Sequence, residues 1–195
     1  DPNAPAKYIN SPESSLFDKG RTLYNVKNSR DNLKKNNHLI VAEGYMDVIA
    51  LTVAGFNASV APLGTAITEN QLRLLWRLTD EPVIALDGDK AGISAAMRAI
   101  DLALPLLTIG KSLRFAVLPQ GQDPDDIIKS DGKERMDEII QNAVPMIDLL
   151  WQRALEGRNL DSPDRRAAFD ASLKNITKKI LEPTIRNHYF AALKT

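Results

Sequence analysis

The sequence predicts an α/β fold in which a parallel sheet is flanked by helices and followed by a small C-terminal helical subdomain. Two observations lead to this prediction. Between about residues 38 and 130, short continuous apolar runs alternate with helical segments, as in parallel sheets that are covered on both faces. From about residue 131 onward the apolar spacing is helical only.

The elements follow from local sequence signals. Residues 1–20 are rich in Pro, Ser, Asn and Gly and predict loop, whereas 21–37 predicts a helix. Strands are expected at 39–42, 58–61, 83–86 and 113–118. Helices are expected at about 45–54, 68–78 and 90–106, with a short one near Asp125. Further helices begin near Pro145, Pro163 and Pro183, because a first turn tolerates proline.

Composition limits the chemistry of any site. The 195 residues are 44% hydrophobic and 26% charged, and no apolar run approaches the ~20 residues needed to span a bilayer. The chain has no Cys, so any metal must be held by oxygen or His. His38 and His188 are isolated and are expected to be surface or packing residues.

The start of the chain, DPNAPAKY, has no initiator Met and lacks the features of a secretion signal. We therefore expect an intracellular piece of a longer protein, without membrane contact.

The net charge is zero, but its distribution is uneven. Residues 1–37 hold seven basic and four acidic residues, whereas 38–130 holds eleven acidic and seven basic residues. This distribution suits a protein that holds cations at one place and phosphates at another, but on charge alone a mixed solvated surface is the better explanation.

Acidic side chains follow three of the predicted strands at the point where each strand ends. The clusters are Glu43 with Asp47, Asp87 with Asp89, and Asp123 with Asp125 and Asp126. The carboxyl ends of parallel strands meet at one edge of a sheet, and ligands bind there in open α/β folds. We therefore expect these carboxylates to share one space.

The spacing within each cluster favours a shared cation site. Asp87 and Asp89 stand two residues apart, and residues i and i+2 of an extended segment project to the same side. Asp47 lies four residues after Glu43, one turn into a helix. Converging carboxylates repel one another unless cations lie between them, and Mg²⁺ prefers oxygen ligands. The clusters therefore favour a phosphoryl-transfer site that uses Mg²⁺ or Mn²⁺, with more than one ion.

Each cluster taken alone has a simpler explanation. Acidic residues are favoured in the first turn of a helix, where they cap free N–H groups and interact with the helix dipole. Asp89 and Asp126 are suited to that role. Paired carboxylates at three successive strand ends are far less common, and the combination favours metal binding.

The segments around these acids resemble a known family. A Glu after the first strand and Asp-x-Asp after a later one, here Glu43 and Asp87/Asp89, form the signature of the Toprim domain. This Rossmann-like domain is shared by topoisomerases, bacterial primases and certain nucleases. Six segments in order are similar to the bacterial DNA primases of the DnaG type: KYINSPES (7–14), LFDKGRTLYN (16–25), VAEGYMDVIAL (41–51), APLGTAIT (61–68), LDGDKAG (86–92) and GQDPDD (121–126).

The resemblance implies metal-dependent nucleotidyl transfer during DNA replication in the bacterial cytoplasm. Short RNA primers would be made from ribonucleoside triphosphates on a single-stranded DNA template. Catalytic positions are matched by Glu43, Asp87 and Asp89, with Glu43 acting as a general base or only as a ligand. The whole acidic metal site is matched by Glu43, Asp47, Asp87, Asp89, Asp123 and Asp125. The nucleotide- and DNA-contacting stretch is matched by Lys7, Tyr8, Asn10, Lys19 and Arg21.

The resemblance also implies a division into three regions. Residues 1–37 would end the N-terminal core lobe and supply a lead-in helix, 38–130 would form the Toprim metal-binding domain, and 131–195 a helical subdomain. The family's zinc-binding module, which needs Cys and His, has no counterpart here, so no zinc is expected. The replicative helicase is expected to bind through a domain absent from this chain.

Three other interpretations remain open from the sequence. A Toprim nuclease or topoisomerase would use the same acids to cleave DNA, although no signature supports Tyr24, Tyr45 or Tyr189 as a nucleophile. A phosphatase of the haloacid dehalogenase type also carries Asp-x-Asp after a strand, but expects Thr or Val where Ala91 stands. In a non-enzymatic binding module, the acids would be helix caps only.

Overall fold

A mixed five-stranded sheet forms the centre of the protein. The structure is a computed structural model that describes residues 18–35, 38–63 and 66–194. The strands are β1 (Ile40–Val41), β2 (Ser59–Val60), β3 (Val83–Leu86), β4 (Arg114–Val117) and β5 (Val144–Pro145). They lie in the order β2-β1-β3-β4-β5. The first four are parallel, and β5 pairs antiparallel with β4.

Helices follow the strands and form the C-terminal part. They are α1 (Val26–Asn32), α2 (Tyr45–Val53), α3 (Glu69–Leu78), α4 (Lys90–Ala103), α5 (Pro124–Ser130), α6 (Gly132–Gln141), α7 (Met146–Leu155), α8 (Pro163–Thr177) and α9 (Pro183–Leu193). Short 3-10 turns lie at Lys19–Arg21, Leu33–Lys35 and Leu104–Leu106. None of the helices in the described part of the chain is both long and apolar enough to cross a membrane.

Alternate residues of each strand are buried on opposite faces of the sheet. Val41, Ile84 and Phe115 pack in one core with helices α3, α4 and α7 to α9. Ile40 and Ala85 pack in the other core, together with α2, α5 and α6. Because both faces are covered, the strands are largely apolar, which is why apolar runs identified them in the sequence.

The predicted α/β fold is confirmed, with differences at the ends of elements. The predicted strand 83–86 is β3, whereas the other predicted strands are shorter than expected. The helix expected at 21–37 begins only at Val26, because the backbone N–H of Tyr24 bonds to Ala61 O at 2.8 Å beside the sheet. The helix expected at 90–106 ends at Ala103, and the last turn tightens around Pro105, which has no N–H to donate.

The antiparallel strand β5 was not predicted. The sheet is therefore mixed, whereas a purely parallel sheet was expected. Two residues are too few to show an alternating pattern, and Pro145 indicated a helix start instead. A proline is tolerated in this position because β5 is an edge strand, where a missing N–H leaves no ladder bond unmade. The side chain of Arg114 also donates to Ala143 O just before β5.

The C-terminal helices are continuous with the rest of the protein. Helix α6 lies over the same face as α2, and α7 to α9 share a core with α4. An ion-pair cluster joins these parts. Asp101 on α4 accepts two bonds from Arg153, at 2.9 and 3.2 Å, and one from Lys179 at 2.9 Å. Burial alone would raise the pKa of Asp101, but these two cations lower it. The division at residue 130 remains a prediction.

The segment that precedes α1 is fixed to the start of α3. The buried amide of Gln71 donates to Lys19 O at 2.8 Å and to Thr22 O at 2.9 Å, and accepts from Thr68 N–H at 2.9 Å. Thr68 Oγ1 donates to Gly20 O at 2.5 Å. One buried side chain therefore satisfies the backbone of two separate segments.

Replacing Gln71 by Ala should destabilise the protein by about 1–3 kcal/mol, because buried carbonyl groups would lose their donor. Chemical denaturation monitored by circular dichroism measures this change. Gln141→Ala is the matched control, since Gln141 is exposed and bonds only Asp137. Equal effects of the two substitutions would contradict the role of Gln71.

Candidate metal and nucleotide site

The three acidic clusters lie directly after β1, β3 and β4, at the carboxyl edge of the sheet. These strands are neighbours, with β3 between the other two. The backbone of Asp87 lowers the pKa of Glu43 and the charge of Asp89 raises it, so the end of β1 lies beside the end of β3. The geometric expectation that these side chains share one edge therefore holds.

Asp47 is the most buried of these acids, at 8% exposed. Its Oδ2 accepts a hydrogen bond from Gly44 N–H at 3.0 Å, which fixes the side chain in the first turn of α2. Burial raises the pKa of Asp47 to about 6, and the negative charges of Asp123, Asp125 and Glu43 add to the rise against the opposing Gly44 bond. Asp47 is therefore repelled by Glu43 of its own cluster and by two acids of the third cluster.

Asp87 lies at the centre of the cluster. Among the described residues, its Oδ1 is the buried side-chain oxygen without a hydrogen-bond partner. The pKa of Asp87 is raised to about 7, first by burial and then by the charges of Glu43, Asp47, Asp123 and Asp89. A buried acceptor surrounded by like charges is an unfavourable arrangement that a bound cation would relieve.

Glu43 and Asp89 reach solvent at the rim of the cluster. Partial loss of hydration raises the pKa of Glu43. The backbone of Asp87 and the nearby cation Arg98 oppose this rise in pKa, whereas the charge of Asp89 adds to it. Asp89 also caps α4, since its Oδ1 accepts from Gly92 N–H at 2.7 Å. One oxygen of Asp89 is thus occupied by the helix.

The third cluster combines capping with charge. Asp123 caps α5 by accepting from Asp126 N–H at 2.8 Å, and the side chain of Asp126 bonds back to Asp123 N–H at 3.4 Å. Asp125 is bonded to Lys129 at 2.5 Å on the exposed side of the helix. The capping interpretation is therefore correct for Asp89, whereas in α5 the N-cap is Asp123 and Asp126 bonds back to it. Asp47 also bonds to the start of its helix, but capping does not account for Asp87 or for the repulsion between the clusters.

The cluster fits divalent cations that keep part of their own shell. Within residues 18–35, 38–63 and 66–194, no group of three or more His, Asp or Glu side chains is arranged so that it could hold a metal ion by itself. Mg²⁺ usually takes one or two carboxylates and completes its octahedron with waters and substrate phosphates. The unpartnered Asp87 oxygen and the mutual repulsion of the acids suit such an open site. The role of each acid as a ligand remains a prediction.

Gly88 sets the spacing between the second and third clusters. A Cβ atom at this position would lie 2.0 Å from Pro119 O and 2.5 Å from Leu118 O, far inside contact distance. The loop after β3 therefore passes directly against the loop after β4. The sequence carries no local signal for this role of Gly88, because the segment that it approaches lies some thirty residues away.

Arg98 is a residue of the site that the sequence analysis missed. Together with Glu43 it lines a pocket of about 330 Å³ whose other walls are largely apolar, among them Ile67 and Leu86. Within the described residues, the guanidinium of Arg98 makes no ion pair or hydrogen bond. It projects from the middle of α4, so neither a motif nor a strand end marked it. Its position beside acids that could hold metal suits a phosphate group.

The predicted nucleotide- and DNA-contacting stretch is only partly described. Lys7, Tyr8 and Asn10 lie outside the described residues. Lys19 and Arg21 belong to the turn that Gln71 holds at the start of α3. This segment also reaches the first acidic cluster, because the ring of Tyr24 contacts that of Tyr45, with centroids 6.0 Å apart. Arg21 forms an exposed ion pair with Asp18 at 3.3 Å.

Comparisons with known families agree with the resemblance. Residues 37–116 match the Toprim domain, residues 1–30 match the N-terminal domain of the DNA primase catalytic core, and residues 147–194 match the DnaB-helicase binding domain of primase. The third match corrects the expectation that helicase binding belongs to a domain absent from this chain. The C-terminal helices carried no local motif for it, since their spacing indicated packing alone.

Similar proteins are DNA primases. The chain is 40% identical to the DNA primase of Rickettsia conorii over 188 residues, which is 96% of the chain and 32% of the relative. It is 39% identical to the DNA primase of Escherichia coli K12 over 184 residues, which is 94% of the chain and 32% of the relative. The chain thus spans about a third of the length of these curated relatives.

Solved structures of primase cores share the fold. A DnaG catalytic core superposes with a TM-score of 0.88 at 38% identity, covering 98% of this chain and 61% of that one. A DNA primase domain from Pseudomonas aeruginosa gives a TM-score of 0.90 at 34% identity, covering 98% and 60%. A DnaG primase catalytic domain bound to single-stranded DNA gives a TM-score of 0.88 at 38% identity, covering 98% of this chain and 62% of that one. These matches do not favour the nuclease, topoisomerase or phosphatase interpretations.

The raised pKa values of Asp47 and Asp87 predict a pH dependence of stability without divalent cations. The folded state binds these protons more tightly than the unfolded chain, so their stabilising contribution is complete below about pH 4. It is lost as the pH rises through about 6 for Asp47 and about 7 for Asp87. Asp87→Asn should therefore raise the melting temperature strongly at pH 8 and much less at about pH 4, where little of the loss has developed.

Thermal unfolding in the presence of a chelator measures this difference. Asp148→Asn, at an exposed first-turn position of α7, is the control and should show no such gain at pH 8. A lower melting temperature for Asp87→Asn at both pH values would contradict the repulsion between the acids.

Proposed function

The chain belongs to the bacterial DnaG-type DNA primases, and from this premise we propose that it forms the metal-binding part of a primer-synthesising RNA polymerase. The reaction is nucleotidyl transfer, in which ribonucleoside triphosphates are joined into a short RNA primer on a single-stranded DNA template. The chain spans about a third of its curated relatives, with 32% of the Rickettsia conorii primase covered. The activity is therefore proposed for the protein to which this part belongs.

The observation that carries the proposal is the mutual repulsion of acids from three strand ends. Asp87 is raised in pKa by acids that belong to all three clusters, and one of its oxygens is buried without a partner. Helix capping alone would leave each cluster separate. Divalent cations, when bound, supply charge neutralisation at the triphosphate and activation of the primer 3′-hydroxyl.

The chain's own residues have distinct roles in this proposal. Asp87 and Asp47 hold cations from within the cluster, and Asp89 and Asp123 contribute the oxygens that their helices leave free. Glu43 lies at the solvent side, where it either accepts the proton of the attacking hydroxyl or adds an oxygen ligand. Mg²⁺ or Mn²⁺ fits this oxygen-only set.

The pocket beside Glu43 suits the incoming nucleotide. Its apolar walls can contact a base or ribose, and Arg98 offers a forked donor for phosphate. The positive charge of Arg98 also offsets part of the negative charge of the acids, so that a triphosphate can approach them. Charge and shape both support an anionic, partly apolar ligand here.

The segment that holds Lys19 and Arg21 is proposed to contact template or triphosphate, together with Lys7, Tyr8 and Asn10. Its attachment to α3 and to Tyr45 keeps these cations close to the first acidic cluster. For Tyr8 the proposed contact is stacking on a base, as aromatic side chains do in single-strand binders.

The replicative helicase is proposed as a partner of the C-terminal helices, because residues 147–194 match the helicase-binding family of primases. The proposed location is the bacterial cytoplasm, where replicative primases act. Both proposals rest on the family.

Asp87→Asn and Asp89→Asn should each abolish Mn²⁺-dependent binding of ribonucleoside triphosphate, because each removes a charge from the cation site. Isothermal titration calorimetry with a non-hydrolysable triphosphate analogue measures binding, and circular dichroism verifies the fold. Asp148→Asn should bind as the parent does. Equal metal-dependent affinity for parent and site variants would count against the assignment.

Replacing Lys7 and Lys19 by Ala should weaken binding of single-stranded DNA and make it less dependent on salt. Each phosphate contact that is lost reduces the slope of log affinity against log salt by about 0.7 for single strands. Fluorescence anisotropy at several salt concentrations measures that slope. An unchanged slope in the double variant would remove these two lysines from the DNA contact.

A further inference from the structure

A groove on the far side of the protein from the acids combines cations with an apolar floor. It lies between α3 and the segment formed by α1 and the 3-10 turn that follows it, and its volume is about 580 Å³. We name it the α1–α3 groove. Its lining includes Arg30, Leu33, Lys34, Leu74, Arg77 and Leu78.

The cations of this groove are available to a ligand. Arg30, Lys34 and Arg77 are all exposed. Within the described residues none of the three side chains makes an ion pair or hydrogen bond. Arg73 on the same helix, by contrast, is bonded to Glu69 at 2.8 Å. The groove therefore presents a local excess of positive charge on a chain whose net charge is zero.

The floor of the groove is apolar and only partly covered. Leu33, Leu74 and Leu78 are half-buried, so part of each side chain faces the groove. Planar guanidinium groups above such a floor can bind phosphate with a fork of donors and stack on flat rings. Phosphates at the rim and bases against the floor would match this arrangement.

The groove lies at the end of the helix whose start holds the Lys19–Arg21 turn. Helix α3 starts beside Lys19 and Arg21, whose turn Gln71 fixes, and ends at the groove. Ten helical residues span about 15 Å. Because α3 follows β2, its start lies at the carboxyl edge of the sheet and its end at the opposite edge. A flexible strand that leaves the acids can therefore follow α3 to reach the groove.

We propose that the α1–α3 groove is a second contact site for single-stranded nucleic acid, which binds the phosphodiester backbone through Arg30, Lys34 and Arg77. The ligand class rests on the proposed function, since a primer-making enzyme handles a strand on both sides of its reaction site. Continuity with the Lys19–Arg21 turn favours a nucleic acid over an acidic peptide. The groove needs no divalent cation for this contact.

The test compares two variants that each remove one Lys and one Arg. Lys34→Ala/Arg77→Ala alters the groove, and Lys178→Ala/Arg166→Ala removes exposed cations of α8 and its end. Binding of a labelled single-stranded oligodeoxynucleotide is measured by fluorescence anisotropy in chelator at several salt concentrations. The groove variant should bind more weakly, with a salt slope smaller by about 1.4, and the control should match the parent.

The possible results separate this proposal from the proposed function. Equal slope changes in both variants, or none in the groove variant, would overturn the groove site. Tighter binding of a labelled poly-glutamate peptide than of the oligonucleotide, lost in the groove variant, would also overturn it in favour of an acidic protein partner. Mn²⁺ titration of the parent reports on the acids separately. Failure there would remove the polymerase proposal without changing the groove result.

Discussion

Repulsion among carboxylates at the carboxyl edge of the sheet is the constraint on which the site depends. Asp87 has a buried oxygen without a partner and a pKa raised to about 7 by burial and by its acidic neighbours. A protein that needed only stability would not hold acids in this way, because each one disfavours the charged form of the others. A bound cation would relieve this repulsion, which is why we propose that these acids bind metal.

The fold holds this unfavourable arrangement through packing on both faces of the sheet. Neighbouring strands β1, β3 and β4 fix the order of the clusters, and the loop at Gly88 lies against Pro119 with no room for a side chain. Capping bonds from Asp89 and Asp123 orient two of the acids. Asp89 and Asp123 are therefore helix caps as well as members of the proposed metal site.

The C-terminal helices belong to the same packed body as the acidic site. Helix α4 carries Asp89 at its start, Arg98 near its middle and Asp101 close to its end. Asp101 is bonded to Arg153 and Lys179, which lie in the part that matches the helicase-binding family. One helix thus connects the metal-binding edge with the segment proposed to contact the helicase. This continuity follows from a shared hydrophobic core.

The sequence determined the features that local patterns express. Apolar runs gave the parallel strands, and six ordered motifs gave the family and the acids Glu43, Asp87 and Asp89. Tertiary structure decided the rest, because contacts between distant segments leave no local signal. Only packing revealed the antiparallel strand β5, the approach of Gly88 to the next loop and the cation Arg98 beside Glu43. The spacing of apolar residues shows which side of a helix or strand is buried, whereas a site is formed by several elements that meet at one edge of the sheet.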